Sequence, residues 1–243
     1  MGLRAPAERS LLTDDLLAFY RKNGYCLIEN VLTEPDCEKY RRYAETIAEK
    51  QAHKYSPVIN PDRSYPLFRD LLCLKAIVRI LEKLQGGRIM ALQSLFYFKP
   101  PGSLGRDLHQ DNFYARTDPD GLVGTWIAID DSDRENGGLV AYPGSHREGL
   151  LDVVVDEERK KTNAGDFQND RGVYCQAPPQ YSKVYVSAPA GSVVLMHGHL
   201  IHGSENNLSK TRFRRAFAGH YAKEGLAFTP GHHAKRTRID VYD

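Results

Sequence analysis

The sequence predicts a mainly β protein, a jelly roll with α-helices on its N-terminal flank. Apolar residues recur at helical spacing through about the first 85 residues, and from Arg88 onward they alternate with a period of two. Turn sequences rich in glycine and proline separate the alternating segments. Helices followed by many short strands indicate a helical layer packed on a β-sandwich or barrel.

Residues 1–86 are expected to form this helical flank. Thr13 can cap a first helix that stops at Asn23-Gly24, because glycine accepts the left-handed conformation of a helix end. A short strand should follow over Gly24–Glu29. A second helix should begin after Thr33, and a third should cover Leu71–Leu84.

Residues 87–221 are expected to form the jelly-roll core, and residues 222–243 a basic C-terminal tail. The predicted strands are Ile89–Lys99, Thr125–Asp130, Leu139–Tyr142, Val184–Ser187, Val193–Met196 and Phe213–Tyr221. The polar insertion at 152–182 has the length of a lid or binding loop. A chain of 243 residues fits one domain, and we find no internal repeat.

Composition excludes several classes of protein. The 33 Lys and Arg nearly balance the 31 Asp and Glu, so no overall basic field favours a nucleic acid partner. The four cysteines form no CxxC pair, which is typical of reduced thiols in the cytoplasm. We expect no secretory signal and no membrane partner, because no apolar stretch has the required length.

The most informative motif is His109-Gln110-Asp111, with His202-Gly203-Ser204 far downstream. His109 and Asp111 point the same way from an extended segment, because side chains alternate there. A second histidine at His202 completes the two-histidine, one-carboxylate set of non-haem Fe(II) oxygenases, which leaves positions open for a cosubstrate and O₂. His197 and His199 also lie close to His202 in the sequence, and spacing alone does not exclude them.

Several further segments resemble the phytanoyl-CoA dioxygenase family. They are His109-Gln110-Asp111-Asn112, Trp126, Asp133-Arg134-Glu135-Asn136-Gly137-Gly138-Leu139, Pro143-Gly144-Ser145-His146, His202-Gly203-Ser204 and Arg214-Arg215-Ala216. The resemblance covers about residues 87–221. It implies a double-stranded β-helix, cupin-like fold that uses Fe(II), 2-oxoglutarate and O₂.

The resemblance also implies roles for individual residues. His109, Asp111 and His202 would bind iron. Arg214 would pair with the distal carboxylate of 2-oxoglutarate, and Ser204 would donate to the same group. The cosubstrate pocket would also include Trp126 and Tyr97.

One departure from the family pattern leaves open which arginine would pair with 2-oxoglutarate. The family's arginine commonly lies 11 residues after the second histidine, where this chain has Phe213. One inserted residue restores the match at Arg214, while Arg212 is the alternative. Arg214 shares its strand face with the small residues Ala216 and Ala218, which leave room inside a barrel.

The predicted reaction is hydroxylation of an unactivated C–H bond in a small, anionic molecule, with release of succinate and CO₂. Asp111 favours hydroxylation, since related halogenases lack this carboxylate. The same site chemistry can also end in desaturation, epimerisation or cyclisation, and a non-catalytic, metal-binding cupin-like module is a further alternative. Candidate substrate-binding residues are Gln93, Lys99, Arg106, Asn112 and Phe113.

Overall fold

The computed structural model describes residues 11–48, 57–158, 172–231 and 234–242. The α-helices of this part are α1 (Asp14–Asn23), α2 (Glu34–Ala48), α3 (Pro66–Leu72), α4 (Lys75–Gln85) and α5 (Asp111–Ala115). The β-strands are β1 (Tyr25–Ile28), β2 (Val58–Ile59), β3 (Ile89–Tyr97), β4 (Leu122–Ala128), β5 (Leu139–Ala141), β6 (Val153–Val155), β7 (Val173–Cys175), β8 (Val184–Val186), β9 (Val193–His197), β10 (His202–Ser204) and β11 (Ala216–Lys223). A search of these residues finds no helix that is both long and apolar enough to span a bilayer.

The ends of α1 follow from local chemistry. The hydroxyl of Thr13 accepts a hydrogen bond from the Leu16 N–H at 3.2 Å, as predicted for an N-cap. Gly24 has a φ of 79° and donates its N–H to the Tyr20 carbonyl, which ends the helix. The predicted third helix is instead two helices, α3 and α4, because Leu74 between them has a φ of −58° and a ψ of 115°, which is not a helical conformation.

The strands form antiparallel sheets that face each other as a jelly roll. The large sheet has the order β1-β9-β4-β11-β3-β2, and the small sheet has the order β10-β5-β8. A separate hairpin pairs β6 with β7. This is the predicted double-stranded β-helix, with the N-terminal helices packed on the outer face of the large sheet.

Side-chain alternation along β11 separates the core from the interior of the roll. Phe217 faces the helices, where its ring centroid lies 5.8 Å from that of Phe68. Ala216 and Ala218 face the small sheet and pack in a second cluster with Trp126. Small residues on the inner face leave space between the two sheets, as the sequence predicted.

The C-terminal segment differs from the solvated tail that we predicted. Its residue Ile239 exchanges two backbone hydrogen bonds with Ala91 of β3, at 3.0 and 2.9 Å. The Asn60 side chain donates to the Ala234 carbonyl, and Arg236 is only 8% exposed. Local composition suggested a tail, because these contacts come from residues more than 120 positions earlier.

The polar insertion at 152–182 contains the hairpin of β6 and β7. Cys175 donates its N–H to the Leu108 carbonyl at 2.9 Å, which ties the hairpin to the segment just before His109. Residues 159–171 lie outside the described residues, so the predicted lid stays a prediction.

Candidate functional site

Three predicted ligand residues meet at one end of the roll. The backbones of His109 and His202 exchange hydrogen bonds of 2.9 and 3.0 Å, which sets their rings side by side with centroids 4.3 Å apart. Asp111 begins α5, and its Oδ1 lies 3.5 Å from Nε2 of His109 and 3.7 Å from Nε2 of His202. One donor atom from each residue therefore converges on a common point.

Hydrogen bonds set the orientation of both imidazoles. Nδ1 of His109 lies 2.8 Å from the Asp107 carbonyl, and Nδ1 of His202 lies 3.0 Å from the Leu200 carbonyl. A carbonyl only accepts hydrogen bonds, so each Nδ1 carries a proton, and each Nε2 faces Asp111. Metal-binding histidines commonly use this arrangement, because it directs one lone pair to the ion.

Burial and neighbouring charges favour a neutral imidazole and an ionised carboxylate at this site. Burial, together with the nearby His202 and Arg106, lowers the pKa of His109 to about 4. Burial alone would raise the pKa of Asp111, but the neighbouring imidazoles of His220, His202 and His109 hold it well below its usual range. A neutral nitrogen and a charged oxygen are the forms that bind a divalent cation.

His220 is a site residue that the sequence reasoning missed. Its Nε2 lies 3.2 Å from Oδ2 of Asp111, so it contacts the carboxylate oxygen that the two ligand histidines do not face. The signal was present, since His220 follows Ala216 and Ala218 at a spacing of two on β11. Gly124, opposite His220 on β4, leaves room for this carboxylate, because a Cβ there would lie 2.8 Å from Oδ2.

His197 and His199 form a different cluster around Asp120, at 3.6 and 3.2 Å. Nδ1 of His197 accepts the His199 N–H at 3.1 Å, and Nε2 of His199 lies 3.0 Å from the side-chain nitrogen of Asn112. The remaining nitrogen of each ring faces Asp120. These three residues form a group of their own, apart from the His109 cluster.

A cavity of about 230 Å³ opens on the His109 cluster. All four residues predicted to bind the cosubstrate line it, namely Arg214, Ser204, Trp126 and Tyr97. Arg214 is 2% exposed, and in the described part of the chain its guanidinium makes one hydrogen bond, from Nε to the Gly137 carbonyl at 3.1 Å. Burial lowers the pKa of Arg214 to about 10, so it remains a cation at neutral pH.

The two neighbouring arginines already have carboxylate partners. Arg212 binds Asp133 at 2.8 Å and Glu135 at 2.7 Å near the surface. Arg215 binds Asp130 at 2.9 Å on the opposite face of the strand. Arg214 has no carboxylate partner among the described residues, which separates it from both.

The predicted substrate residues divide into two groups. Gln93 and Arg106 line the cavity, whereas Lys99, Asn112 and Phe113 do not. Lys99 has a φ of 24°, which ends the alternation of β3, and its Nζ donates to the Leu104 carbonyl. The Asn112 side chain is turned away to Thr117 and His199. Arg236 lines the cavity as well, and no local pattern indicated it.

The family of this chain follows from a comparison with protein-family models. A model described as phytanoyl-CoA dioxygenase (PhyH) matches residues 20–216. The chain belongs to the phytanoyl-CoA dioxygenase family. The resemblance found in the sequence is therefore confirmed, and with it the predicted class of enzyme, a dioxygenase.

This chain covers different shares of its relatives in the phytanoyl-CoA dioxygenase family. A phytanoyl-CoA dioxygenase of Arabidopsis thaliana is 35% identical over 160 residues, which is 64% of this chain and 52% of that protein. The peroxisomal phytanoyl-CoA dioxygenase of Rattus norvegicus is 28% identical over 247 residues, with 91% of this chain and 71% of that protein covered. This chain thus spans about half of the plant relative. The predicted cytoplasmic location stays a prediction.

Solved structures share the fold of this phytanoyl-CoA dioxygenase family member. The non-haem α-ketoglutarate-dependent carbocyclase SnoK of nogalamycin biosynthesis has a TM-score of 0.74 at 23% identity, and the match covers 96% of this chain and 91% of that one. EvdO2 from Micromonospora carbonacea, solved with 2-oxoglutarate, has a TM-score of 0.73 at 17% identity, with 94% and 97% covered. These likenesses confirm the cupin-like architecture.

Proposed function

We propose that this chain is an Fe(II)/2-oxoglutarate-dependent dioxygenase that hydroxylates an unactivated C–H bond of a small, anionic molecule. The observation that carries the proposal is one cavity that holds both the His109, Asp111 and His202 cluster and the buried cation of Arg214. The predicted cofactors, iron and 2-oxoglutarate, are those of the family, and 2-oxoglutarate is bound in one structure that shares the fold.

The donor set fits iron. Two imidazoles and one carboxylate, with further positions left open, are the ligands of non-haem Fe(II) oxygenases. The tautomers of His109 and His202 support this assignment, because both Nε2 atoms face the point where Asp111 presents Oδ1. His220 would act as a positioning residue, since a hydrogen bond to Oδ2 leaves Oδ1 as the ligand atom.

The surroundings of Arg214 fit the distal carboxylate of 2-oxoglutarate. A buried guanidinium without a carboxylate partner favours an anionic ligand, and its fork matches a carboxylate with two hydrogen bonds. Ser204 accepts the Arg106 N–H at 3.0 Å and can still donate its own hydroxyl proton. Trp126 and Tyr97, whose rings lie 5.5 and 5.8 Å from the guanidinium carbon, would form the walls.

When bound, iron and 2-oxoglutarate supply the oxidising chemistry, in which O₂ is consumed and 2-oxoglutarate becomes succinate and CO₂. The residues of this chain bind and orient the reactants. Trp126 and Leu139, which are 3% and 6% exposed, keep water away from the Arg214 end of the cavity. The cavity is small, and more guanidinium groups than carboxylates line it. Both features support a small, anionic substrate.

A different outcome of the same chemistry is the second candidate. Solved structures that share the fold include a carbocyclase and an epimerase, so cyclisation or epimerisation is compatible with this architecture. Asp111 argues for hydroxylation over halogenation, because the carboxylate takes the position that a halide would need. The masses of the products distinguish hydroxylation, which adds one oxygen atom, from desaturation, cyclisation or epimerisation.

The test is succinate formation from 2-oxoglutarate by the protein loaded with Fe(II) and supplied with ascorbate. Asp111→Ala and His202→Ala should bind iron at least a hundredfold more weakly and form no succinate. His197→Ala is the matched control, because that histidine belongs to the Asp120 cluster, and it should behave like wild type. Iron binding without succinate formation in wild type would favour the non-catalytic metal-binding module.

A further inference from the structure

Two buried side chains that pair across β3 and β11 each hold a polar atom without a hydrogen-bond partner in the described part of the chain. Gln93 on β3 pairs directly across from His220 on β11, so both side chains face the cavity. Oε1 of Gln93 and Nδ1 of His220 are buried and unpartnered, and Gln93 is only 4% exposed. Buried polar groups almost always have a partner. This pair therefore indicates that a bound molecule completes it.

The hydrogen-bonding roles of the pair follow from its surroundings. In the tautomer whose Nε2–H points to Oδ2 of Asp111 at 3.2 Å, Nδ1 of His220 is an acceptor. The unpartnered atom of Gln93 is likewise an acceptor. Two acceptors side by side favour a hydroxyl or an ammonium group, because each of these donates hydrogen bonds.

A β-bulge positions the pair and also the C-terminal segment. His220 pairs with Gln93 and Tyr221 with Ala91, so Leu92 is an extra residue in β3. The Leu92 carbonyl accepts the Thr237 N–H at 3.2 Å, which fixes the segment that carries Arg236. The bulge thus brings the acceptor pair and a buried cation to the same end of the cavity.

Two arginines of the cavity lining bond to Tyr114, one to its backbone and one to its side chain. Nη1 of Arg236 donates to the Tyr114 carbonyl at 2.9 Å, and Nη2 of Arg106 donates to the Tyr114 hydroxyl at 3.2 Å. The Tyr114 ring lies 6.3 Å from that of His109. Among the described residues that line the cavity, Asp111 is the only acidic one.

This end is separate from the proposed 2-oxoglutarate position. Gln93 and Tyr97 are four residues apart on β3, which is about 13 Å along a strand. Tyr97 lies beside Arg214, whereas Gln93 lies beside His220. The cavity therefore has two polar ends, and the His109 cluster also lines it.

We propose that Gln93, His220, Arg106 and Arg236 form the substrate-recognition site. Its ligand is a small molecule with a carboxylate or phosphate group for the arginines and a hydroxyl or ammonium group for Gln93 and His220. This inference rests on the proposed function, because it assigns the substrate end of the same cavity. An acyl chain without a donor near its reacting carbon does not satisfy the acceptor pair.

The first test needs no substrate. Gln93→Leu keeps the side chain's approximate size and removes a buried amide oxygen that lacks a partner, so the melting temperature of the ligand-free protein should rise by about 2–4 °C. Ser94→Ala, its neighbour on the strand, removes a hydroxyl bonded to Asp62 and should lower the melting temperature. An unchanged or lower value for Gln93→Leu would show that the amide is satisfied and would overturn the proposal.

The second test uses matched sets of three compounds. One set is leucine, 4-methylpentanoic acid and leucine methyl ester. The phosphate set is 3-hydroxypropyl phosphate, propyl phosphate and 1,3-propanediol. Each set has one member with both groups, one without the donor and one without the anion. Both sets are then extended to compounds with chains of four to eight carbons. Only members with both groups should stimulate succinate formation, and the set that responds identifies the anion.

Variants then connect the response to the proposed residues. Arg236→Ala should raise the KM of a stimulating compound at least tenfold, and Gln93→Leu should do so for compounds with the donor. Ser94→Ala should leave KM unchanged. Equal stimulation by members that lack either group, or no stimulation by the whole panel, would overturn the proposal.

The proposed dioxygenase activity and the proposed substrate-recognition site can be refuted separately. Slow conversion of 2-oxoglutarate to succinate without added substrate tests the proposed dioxygenase activity and is measured first. Its absence in wild type would refute the proposed function. The melting temperature of Gln93→Leu would then still decide whether the acceptor pair is a binding site, since that measurement requires no turnover.

Discussion

Replacing Arg214 tests the cosubstrate assignment most directly. Arg214→Ala removes a guanidinium that is 2% exposed and has no carboxylate partner among the described residues. Removing one member of a buried, charge-assisted pair costs about 3–5 kcal/mol, because the other charge is left in a dry site. The dissociation constant for 2-oxoglutarate should therefore rise by roughly 150- to 5,000-fold.

The assay measures succinate formation against 2-oxoglutarate concentration, with direct binding by calorimetry in parallel. Arg212→Ala is the matched control two residues away. Its side chain is 37% exposed and paired with Asp133 and Glu135, so its loss should change the affinity less than threefold. Arg214→Lys keeps the charge and loses the fork, and it should fall between the two.

A stability measurement separates a binding role from a structural one. Burial lowers the pKa of Arg214 to about 10, which means that the ligand-free fold bears a cost for holding this charge. Arg214→Met should therefore melt at the same or a higher temperature than wild type without 2-oxoglutarate. A larger loss of 2-oxoglutarate affinity in Arg212→Ala than in Arg214→Ala would refute the assignment.

Three further predictions concern the iron site and the core. Gly124→Ala should weaken iron binding at least tenfold, since its Cβ would lie 2.8 Å from Oδ2 of Asp111, while Gly87→Ala, which meets only the end of a lysine side chain, should not. His220→Ala should weaken iron binding about 10- to 100-fold, with partial recovery in His220→Gln, and an unchanged iron titration would remove its positioning role. Phe217→Ala should lower the melting temperature by roughly 10 °C, whereas Phe213→Ala, at an exposed position, should change it little.

Local chemistry explains which elements could be predicted. Thr13 and Gly24 bound α1 because a hydroxyl cap and a left-handed glycine act within a few residues. The sequence did not predict the break between α3 and α4. The residues at the break, Cys73 and Leu74, are neither glycine nor proline, the residues that mark a helix end. Gln93 and Tyr97 lie on the same face of β3 and both line the cavity, because alternation sets which residues of a strand share a face.

Partner residues decided what the spacing left open. Spacing left Arg212 and Arg214 as alternatives, and in the folded chain Asp133 and Glu135 engage Arg212 while Arg214 is buried. His197 and His199 differ from the predicted ligands for the same reason, since Asp120 and Asn112 engage their nitrogens. Such contacts join residues from 77 to 87 positions apart, beyond the range of any local pattern.

The sequence by itself determined the jelly roll and the motifs that hold the candidate ligands and arginines, because these depend on periodicity and on the order of short motifs. Only the tertiary structure decided that Gln93, His220 and Arg236 share one end of the cavity. Their meeting depends on the register between β3 and β11, on the bulge at Leu92 and on the docking of the C-terminal segment. Register and docking are properties of paired strands, and one residue of slip would turn these side chains to the other face.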